Sequence, residues 1–236
     1  MPPFLSVVVP AYNESQRLPM TLRYIKRYLR MRNYASEIIV SDDGSTDNTV
    51  AVAEEKLKGF PHRILTAPKN MGKGHAVRTG MLEAQGEYVL FSDADLSTPI
   101  EEVERFLEKL QNGYDVVIAS RALAESHLKK RQPLFREIMG RTFNLFCKLL
   151  AFKDIKDSQC GFKCFKKAVA QRIFREQKLN GFSFDVEVVY LAQKYGYRIC
   201  ELPVTWRNSP LSRVQVFTDP FKMFWDILKI HRLHAK

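Results

Sequence analysis

Short apolar runs alternate with amphipathic segments along the first 120 residues, and this alternation constrains the fold more than any other feature of the chain. Apolar side chains recur at helical spacing in the segments between the runs. Strands that alternate with helices in this way form parallel sheets covered by helices on both faces, so the sequence predicts an α/β domain with a doubly wound sheet. The predicted strands are Leu5–Val9, Glu37–Val40, Arg63–Thr66, Tyr88–Phe91 and Asp115–Ser120.

Polar side chains follow most of these runs at the point where each run ends. The carboxyl ends of parallel strands meet at one edge of a sheet, where open α/β sheets bind their ligands. We therefore predict a single binding crevice, although each cluster taken alone could be an ordinary polar turn. The residues in question are Tyr12 and Glu14, Asp42 and Asp43, Asp93 and Asp95, and Arg121.

Asp93 and Asp95 follow Tyr88–Phe91, a short apolar run long enough for a strand that is buried on both faces. Two carboxylates in one turn form a hard oxygen site suited to Mg²⁺ or Mn²⁺, which take their other ligands from water and phosphates. The alternative is a pair of solvated turn aspartates. We expect a helix to follow the pair, with Thr98 as its N-cap and Pro99 as its first residue. We also expect Asp47 to cap the helix that follows the second strand.

The charge of the chain indicates an anionic partner. Its 236 residues include 37 basic and 26 acidic side chains, a formal net charge of +11. Nucleotides, nucleic acids and membrane surfaces all fit such an excess. No helix-turn-helix, zinc-finger or RNA-binding signature is present, so we expect no nucleic acid partner. Four scattered cysteines indicate reduced thiols in the cytosol, and we expect neither a signal peptide nor a span of 18 apolar residues.

Two further motifs give weaker signals. A glycine-broken loop, Gly72–Lys73–Gly74, opens a predicted helix and could cradle a phosphate, although it is not a Walker A motif. Asp185 lies near the predicted start of another helix. A carboxylate is stabilised there by the helix dipole, so a plain helix-start aspartate and a catalytic one are equally compatible with the sequence.

The second part of the chain is more basic and more apolar. Residues 121–141 hold six basic side chains and lead into an apolar helical segment, and residues 217–233 are amphipathic and basic. Core burial explains the first segment most simply, and docking on a membrane surface is the alternative. We predict a catalytic domain over residues 1–213 and a C-terminal amphipathic basic helix over residues 214–236.

Taken together, the motifs resemble those of the family 2 glycosyltransferases of the GT-A fold. Within that family, the chain looks most like the polyprenyl-phosphate glycosyltransferases, among them the dolichyl-phosphate glucosyltransferases. The resemblance covers about residues 6–213. The motifs that carry it are Val9–Glu14, Asp42–Asp47, Gly72–Gly74, Asp93–Asp95, Ala119–Arg121, Asp157–Lys163 and Phe184–Glu187.

The resemblance implies a role for each matching residue. Asp185, Asp95 and Arg121 would be catalytic. Asp95, Asp93 and Ser97 would hold the metal, Mg²⁺ or Mn²⁺. Arg121, Arg136 and Gln159 would bind the acceptor phosphate. The nucleotide sugar would contact Pro10, Ala11, Tyr12, Glu14, Val40, Asp42, Lys73, Asp93, Ala94, Asp95, Arg121, Arg207 and Arg213.

The implied reaction is inverting transfer of glucose from UDP-glucose to a polyprenyl (dolichyl) phosphate by an enzyme held peripherally on the cytoplasmic face of a membrane. Ser97 stands where related mannosyltransferases often have a metal-binding Gln, which favours glucose over mannose. The acceptor phosphate is largely ionised at pH 7 and needs no general base, so Asp185 would orient the acceptor or the sugar. The alternatives are transfer from GDP-mannose, a non-lipid saccharide acceptor, and an inactive sugar-nucleotide binder.

Overall fold

The computed structural model describes residues 2–130, 146–147, 150–207 and 219–235. The strands are β1 (Leu5–Ala11), β2 (Ser36–Asp42), β3 (His62–Thr66), β4 (Tyr88–Ser92), β5 (Val116–Ser120), β6 (His127–Lys130), β7 (Phe162–Lys166), β8 (Ile199–Pro203) and β9 (Thr205–Arg207). The helices are α1 (Leu18–Arg30), α2 (Thr49–Leu57), α3 (Lys73–Glu83), α4 (Val103–Gln111), α5 (Lys167–Glu176), α6 (Phe184–Lys194) and α7 (Asp219–Leu233). A 3₁₀ turn, Ile100–Glu102, precedes α4.

Seven strands form one sheet in the order β3-β2-β1-β4-β7-β5-β8, and β6 pairs with β9 in a separate ribbon. All neighbours in the large sheet run parallel except β7, which lies antiparallel between β4 and β5. The mostly parallel sheet confirms the predicted fold class. We did not predict β7, because Lys163 and Lys166 interrupt its apolar pattern.

The sheet separates two apolar layers. Helix α1 packs Leu18, Leu22, Ile25 and Leu29 into the layer on one face, as the helical spacing of these residues predicted. The other layer contains Phe184 and further residues of α6, together with side chains of α3 and α5. Both faces of β4 are therefore buried, which explains its nearly continuous apolar sequence. The charged side chains begin beyond the strand, at the edge of the sheet.

Two predicted helix starts are wrong in detail. Helix α2 begins at Thr49 with Asn48 as its N-cap, so Asp47 precedes the cap, although its Oδ1 accepts a hydrogen bond from Thr49 N at 3.0 Å. The segment after the acidic pair begins as a 3₁₀ turn with Pro99 at the N-cap. The hydroxyl of Thr98 lies 3.7 Å from Cys160 Sγ instead of capping the turn.

Helix α7 has one buried and one exposed face. Met223, Ile227 and Ile230 face the protein, whereas Trp225 and Leu228 are 60% and 43% exposed. In the part of the chain that the structure describes, no helix combines the length and apolarity needed to cross a bilayer. The predicted boundary between residues 213 and 214 and most of the predicted apolar helix before residue 150 lie outside the described residues, so both stay predictions.

Candidate active site

The loops that follow β1 and β2 are tied together by a series of hydrogen bonds. Asn13 N donates to Ser45 Oγ at 2.8 Å, and Thr46 N donates back to Asn13 Oδ1 at 2.8 Å. Glu14 N donates to Thr49 Oγ1 at 2.7 Å. The two loops therefore form one wall at the carboxyl edge of the sheet, as the sequence predicted from the parallel strand order.

The two neighbouring aspartates after β2 have different roles. Asp42 Oδ2 accepts a hydrogen bond from Ser45 N at 3.0 Å, which shapes the turn. Asp43 accepts from Met71 N at 3.0 Å and from Gly72 N at 2.7 Å, and its burial raises its pKa. Asp43 thus anchors the loop before α3, a role that the sequence analysis did not assign.

The loop before α3 also packs closely against the segment before α6. Gly72 has φ +110°, and a Cβ at this position would lie 2.3 Å from Asn180 O. Gly74 N donates to the same carbonyl at 2.7 Å. A side chain at position 72 would separate these segments, so the glycine is required for the close approach.

The turn that carries Asp93 and Asp95 is held by main-chain contacts from several directions. Asp93 N donates to Gly161 O at 3.0 Å, and a Cβ on Gly161 would lie 2.0 Å from Asp93 Oδ2. Asp95 Oδ1 accepts from Ser97 N at 2.9 Å. Leu96, which lies between Asp95 and Ser97, has a left-handed φ of +47° that a bulky residue rarely adopts. The turn is therefore built to a fixed and strained geometry.

A lysine from the start of α3 lies against this acidic turn. Lys73 Nζ lies 2.6 Å from Asp93 Oδ1. Burial acts to lower the pKa of Lys73, but the nearby carboxylates of Asp93, Asp185 and Asp95 raise this pKa above its ordinary value. Burial and the charge of Asp93 raise the pKa of Asp95. The glycine-broken loop thus brings its lysine to the acidic turn rather than to bulk solvent.

Arg121 forms a two-pronged ion pair with Asp157. Its Nε lies 2.6 Å from Oδ2 and its Nη2 lies 2.9 Å from Oδ1, while Arg121 N donates to Oδ2 at 3.0 Å. Burial acts to raise the pKa of Asp157, but the guanidinium of Arg121 holds this pKa below its usual range. The guanidinium also lies 5.5 Å from the ring centroid of Trp206. From the sequence, Asp157 is part of a family motif and has no predicted site role.

Asp185 is buried in the first turn of α6 and forms an ion pair with Lys163 of β7. Burial raises the pKa of Asp185, against the opposing charges of Lys163 and Lys73. The same carboxylate acts to raise the pKa of Arg121 and of Lys73. Asp185 therefore interacts electrostatically with both Lys73 and Arg121, and its catalytic role stays a prediction.

The remaining predicted site residues occupy less direct positions. The side chain of Val40 lies in the core, so any ligand contact there must come through its main chain. Gln159 N donates to Asp157 Oδ1 at 3.1 Å, and the exposed Arg207 donates its N to Ser97 O at 2.8 Å. Arg136 and Arg213 lie outside the described residues. The last predicted positions are Pro10 and Ala11 in β1, Tyr12 and Glu14 in the loop after it, and Ala94 in the acidic turn.

Comparison with known proteins identifies the family. The sequence profile of Glycosyl transferase family 2 matches residues 6–174. The chain belongs to this family. As a family 2 glycosyltransferase, it is similar to a dolichyl-phosphate beta-glucosyltransferase of Dictyostelium discoideum, which is 37% identical over 96% of this chain and 73% of the relative. The human protein of the same name is 36% identical over 96% of this chain and 74% of its own length.

Solved structures of a mycobacterial synthase share the fold. Glucosyl-3-phosphoglycerate synthase from Mycobacterium tuberculosis, in complex with Mn²⁺, UDP-glucose and phosphoglyceric acid, matches with a TM-score of 0.69 and 18% identity over 99% of this chain and 80% of that chain. The same protein with Mg²⁺ and UDP has a TM-score of 0.69 and 17% identity. At this identity the likeness shows the fold alone, and it confirms the GT-A expectation.

The acidic turn fits a divalent cation. Burial and the charge of Asp93 both raise the pKa of Asp95, and a cation would relieve the repulsion between the two carboxylates. Carboxylate oxygens are the ligands that Mg²⁺ and Mn²⁺ prefer. Among the described residues, no group of three His, Cys, Asp or Glu side chains is placed to hold a metal. A cation bound at Asp95 would therefore complete its coordination with substrate phosphate and water.

Proposed function

We propose that this enzyme transfers glucose from UDP-glucose to the phosphate of a polyprenyl lipid such as dolichyl phosphate, with inversion at the anomeric carbon. The observation that carries the proposal is the meeting of charged side chains from several elements at the carboxyl edge of the sheet. Lys73 Nζ lies 2.6 Å from Asp93 Oδ1 in the turn that also carries Asp95, and Asp185 is close enough to act on the pKa of both Lys73 and Arg121. The relatives that bear the dolichyl-phosphate beta-glucosyltransferase name support the proposal, since the similarity extends over 96% of the chain.

The charges suit the departure of a nucleoside diphosphate. Lys73 and Arg121 would neutralise the charge that develops on the diphosphate as the bond to the sugar breaks. Asp95, with Asp93 and Ser97 beside it, would hold Mg²⁺ or Mn²⁺, and the cation would supply further electron withdrawal from the diphosphate. The sugar would pass through an oxocarbenium-like state and be attacked on its opposite face.

The acceptor phosphate needs orientation more than deprotonation. A phosphate monoester is largely ionised at neutral pH, because its second pKa is near 6. Asp185 would therefore orient the sugar or the acceptor, and Arg121, Arg136 and Gln159 would bind the acceptor phosphate. Arg207 and Arg213 would clamp the diphosphate, a task for which the planar guanidinium is well suited.

A transfer assay tests the donor, the acceptor and the metal together. The purified protein is incubated with radiolabelled UDP-glucose or GDP-mannose, a polyprenyl phosphate in detergent, and Mg²⁺, Mn²⁺ or EDTA. We expect label in the organic phase only with UDP-glucose, polyprenyl phosphate and a divalent cation. Transfer from GDP-mannose would instead support the mannosyltransferase alternative. Transfer to a soluble saccharide without lipid would support the non-lipid acceptor, and binding without transfer would indicate an inactive sugar-nucleotide binder.

We further propose that the enzyme acts peripherally on the cytoplasmic face of a membrane. On α7, the exposed Trp225 and Leu228 lie among exposed basic side chains, Lys222, Lys229 and Arg232. Apolar side chains among basic ones favour binding in the interfacial layer of anionic bilayers, and each basic residue contributes about 1 kcal/mol near such a surface.

Liposome sedimentation tests this membrane proposal. We expect the protein to pellet with anionic vesicles at low salt and less at high salt, and the double variant Trp225→Ser, Leu228→Ser to pellet less than the wild type. The exposed Met20 on α1 provides a matched control through Met20→Ser. Equal partitioning of the wild type and the α7 variant would contradict the assignment of this helix.

A further inference from the structure

Strand β7 places a lysine on a face of the sheet that is otherwise apolar. Lys163 pairs in register with Phe91 of β4 and with Ile118 of β5, and its side chain is 0% exposed. Phe165, two residues along the same strand, belongs to the apolar layer on that face. Side chains two apart on a strand point to the same face, so Lys163 lies where an apolar residue would be expected.

The ammonium of Lys163 has specific partners. Its Nζ donates to Cys160 O at 2.8 Å and to Asp185 Oδ1 in an ion pair. It also lies 5.0 Å from the ring centroid of Phe91. Asp185 belongs to the first turn of α6, so this single side chain joins the inserted antiparallel strand to the helix that carries the candidate catalytic carboxylate.

Stability alone does not explain the pair. Desolvation of two charges offsets most of their attraction, and apolar residues of similar volume often stabilise a protein as well or better. The position of the pair suggests another role, because Lys73 of the site lies 5.9 Å from the ring centroid of Phe184, the residue before Asp185. Burial raises the pKa of Asp185, and a fixed ammonium favours its charged form.

We propose that Lys163 is a positioning residue for glucosyl transfer, whose ammonium holds the Asp185 carboxylate charged and aimed at the reacting sugar and acceptor phosphate. This inference rests on the proposed function, because it takes Asp185 to serve that reaction. Lys163 itself is buried and acts through Asp185.

The test compares four variants of the full chain in the transfer assay: Lys163→Met, Asp185→Asn, the double variant, and Lys166→Met. Lys166 is the matched control, because it lies on the same strand and pairs with Asp115 at 3.0 Å. Strand β7 is antiparallel, so Lys166 lies at the opposite edge of the sheet from the site.

We expect Lys163→Met to lower kcat by about 10²-fold, as misplacement of a reacting group does. The KM for UDP-glucose should change far less, and Lys166→Met should leave both values near those of the wild type.

The double variant separates positioning from folding. If Lys163 acts through Asp185, the double variant should be as active as Asp185→Asn alone, because the group that Lys163 positions is already lost. It should also melt at a higher temperature than Lys163→Met, which leaves a buried carboxylate without its partner. A folded double variant far less active than Asp185→Asn, or a Lys163→Met variant with wild-type kcat, would overturn the inference. Absence of transfer by the wild type would instead refute the proposed function.

Discussion

The loop after β2 and the charged pairs around β7 satisfy carboxylates in different ways. At the end of β2 and in the loop after it, the buried Asp42 and Asp43 and the exposed Asp47 accept hydrogen bonds from main-chain amides. Around β7, Asp157 and Asp185 pair with the side chains of Arg121 and Lys163. Both regions contribute to one candidate site, yet the first is held by the backbone and the second by complementary charges.

The difference determines how each region responds to substitution. A main-chain amide that loses its acceptor costs about 1–3 kcal/mol when it is buried. A buried charge that loses its partner costs about 3–5 kcal/mol. We therefore expect single substitutions to damage the paired charges more than the loop, and the following experiments test that ranking in order of decreasing effect.

Replacement of Arg121 should have the largest effect. Arg121→Met leaves Asp157 buried and unpaired, and we expect a loss of about 3 kcal/mol in the free energy of unfolding and about 10²-fold in kcat. Urea denaturation and the transfer assay measure the two effects. Arg105→Met is the matched control: Arg105 is half exposed and pairs with Glu102 within one helical turn, so its loss should cost about 1 kcal/mol or less.

A second substitution sharpens this experiment. The double variant Arg121→Met, Asp157→Leu removes both charges and should regain much of the lost stability without regaining activity. If Arg121→Met were as stable as Arg105→Met, the two regions would not differ in the way that we describe.

Replacement of Asp43 should have an intermediate effect. Asp43→Ala removes the acceptor of Met71 N and Gly72 N, and we expect a loss of about 1–3 kcal/mol in the free energy of unfolding. The two amides should also exchange hydrogen faster, and the KM for UDP-glucose should rise because Lys73 follows this loop. Asp43→Asn keeps one acceptor oxygen, so its free energy of unfolding should lie between those of Asp43→Ala and the wild type. Unchanged exchange at both amides in Asp43→Ala would contradict the anchoring role.

The same contrast explains what the sequence could and could not predict. The polar clusters at the ends of β1, β2 and β4 follow from local patterns, because parallel order places strand ends at one edge. The pairs Arg121–Asp157 and Lys163–Asp185 join residues 36 and 22 positions apart. They also depend on the insertion of β7 between β4 and β5. Two lysines hide that strand in the sequence, so its partners and the role of Asp157 could not be predicted.

Asp47 gives the smallest expected effect and tests whether a carboxylate that accepts hydrogen bonds from main-chain amides acts through its charge. Although desolvation acts to raise it, the hydrogen bonds from Thr49 and Ser15 lower the pKa of Asp47 from its ordinary 3.8 to about 2. A carboxylate with a lowered pKa in the folded state stabilises the fold above its unfolded pKa, and this stabilisation disappears as the pH falls through the folded value. Asp47→Ala should therefore cost about 1 kcal/mol at pH 7, the usual value for a helix-start acceptor.

The difference between Asp47→Ala and the wild type should shrink as the pH falls from about 4 toward 2, because the wild type then loses the same interaction by protonation. Urea midpoints measured for both proteins between pH 7 and pH 2 would show this convergence. Glu108→Ala, on the exposed face of α4, is the control and should show no such trend. A constant difference in urea midpoint between the two proteins across this range would mean that Asp47 contributes through shape rather than charge. The loop after β2 would then differ from the pairs around β7 even more than we propose.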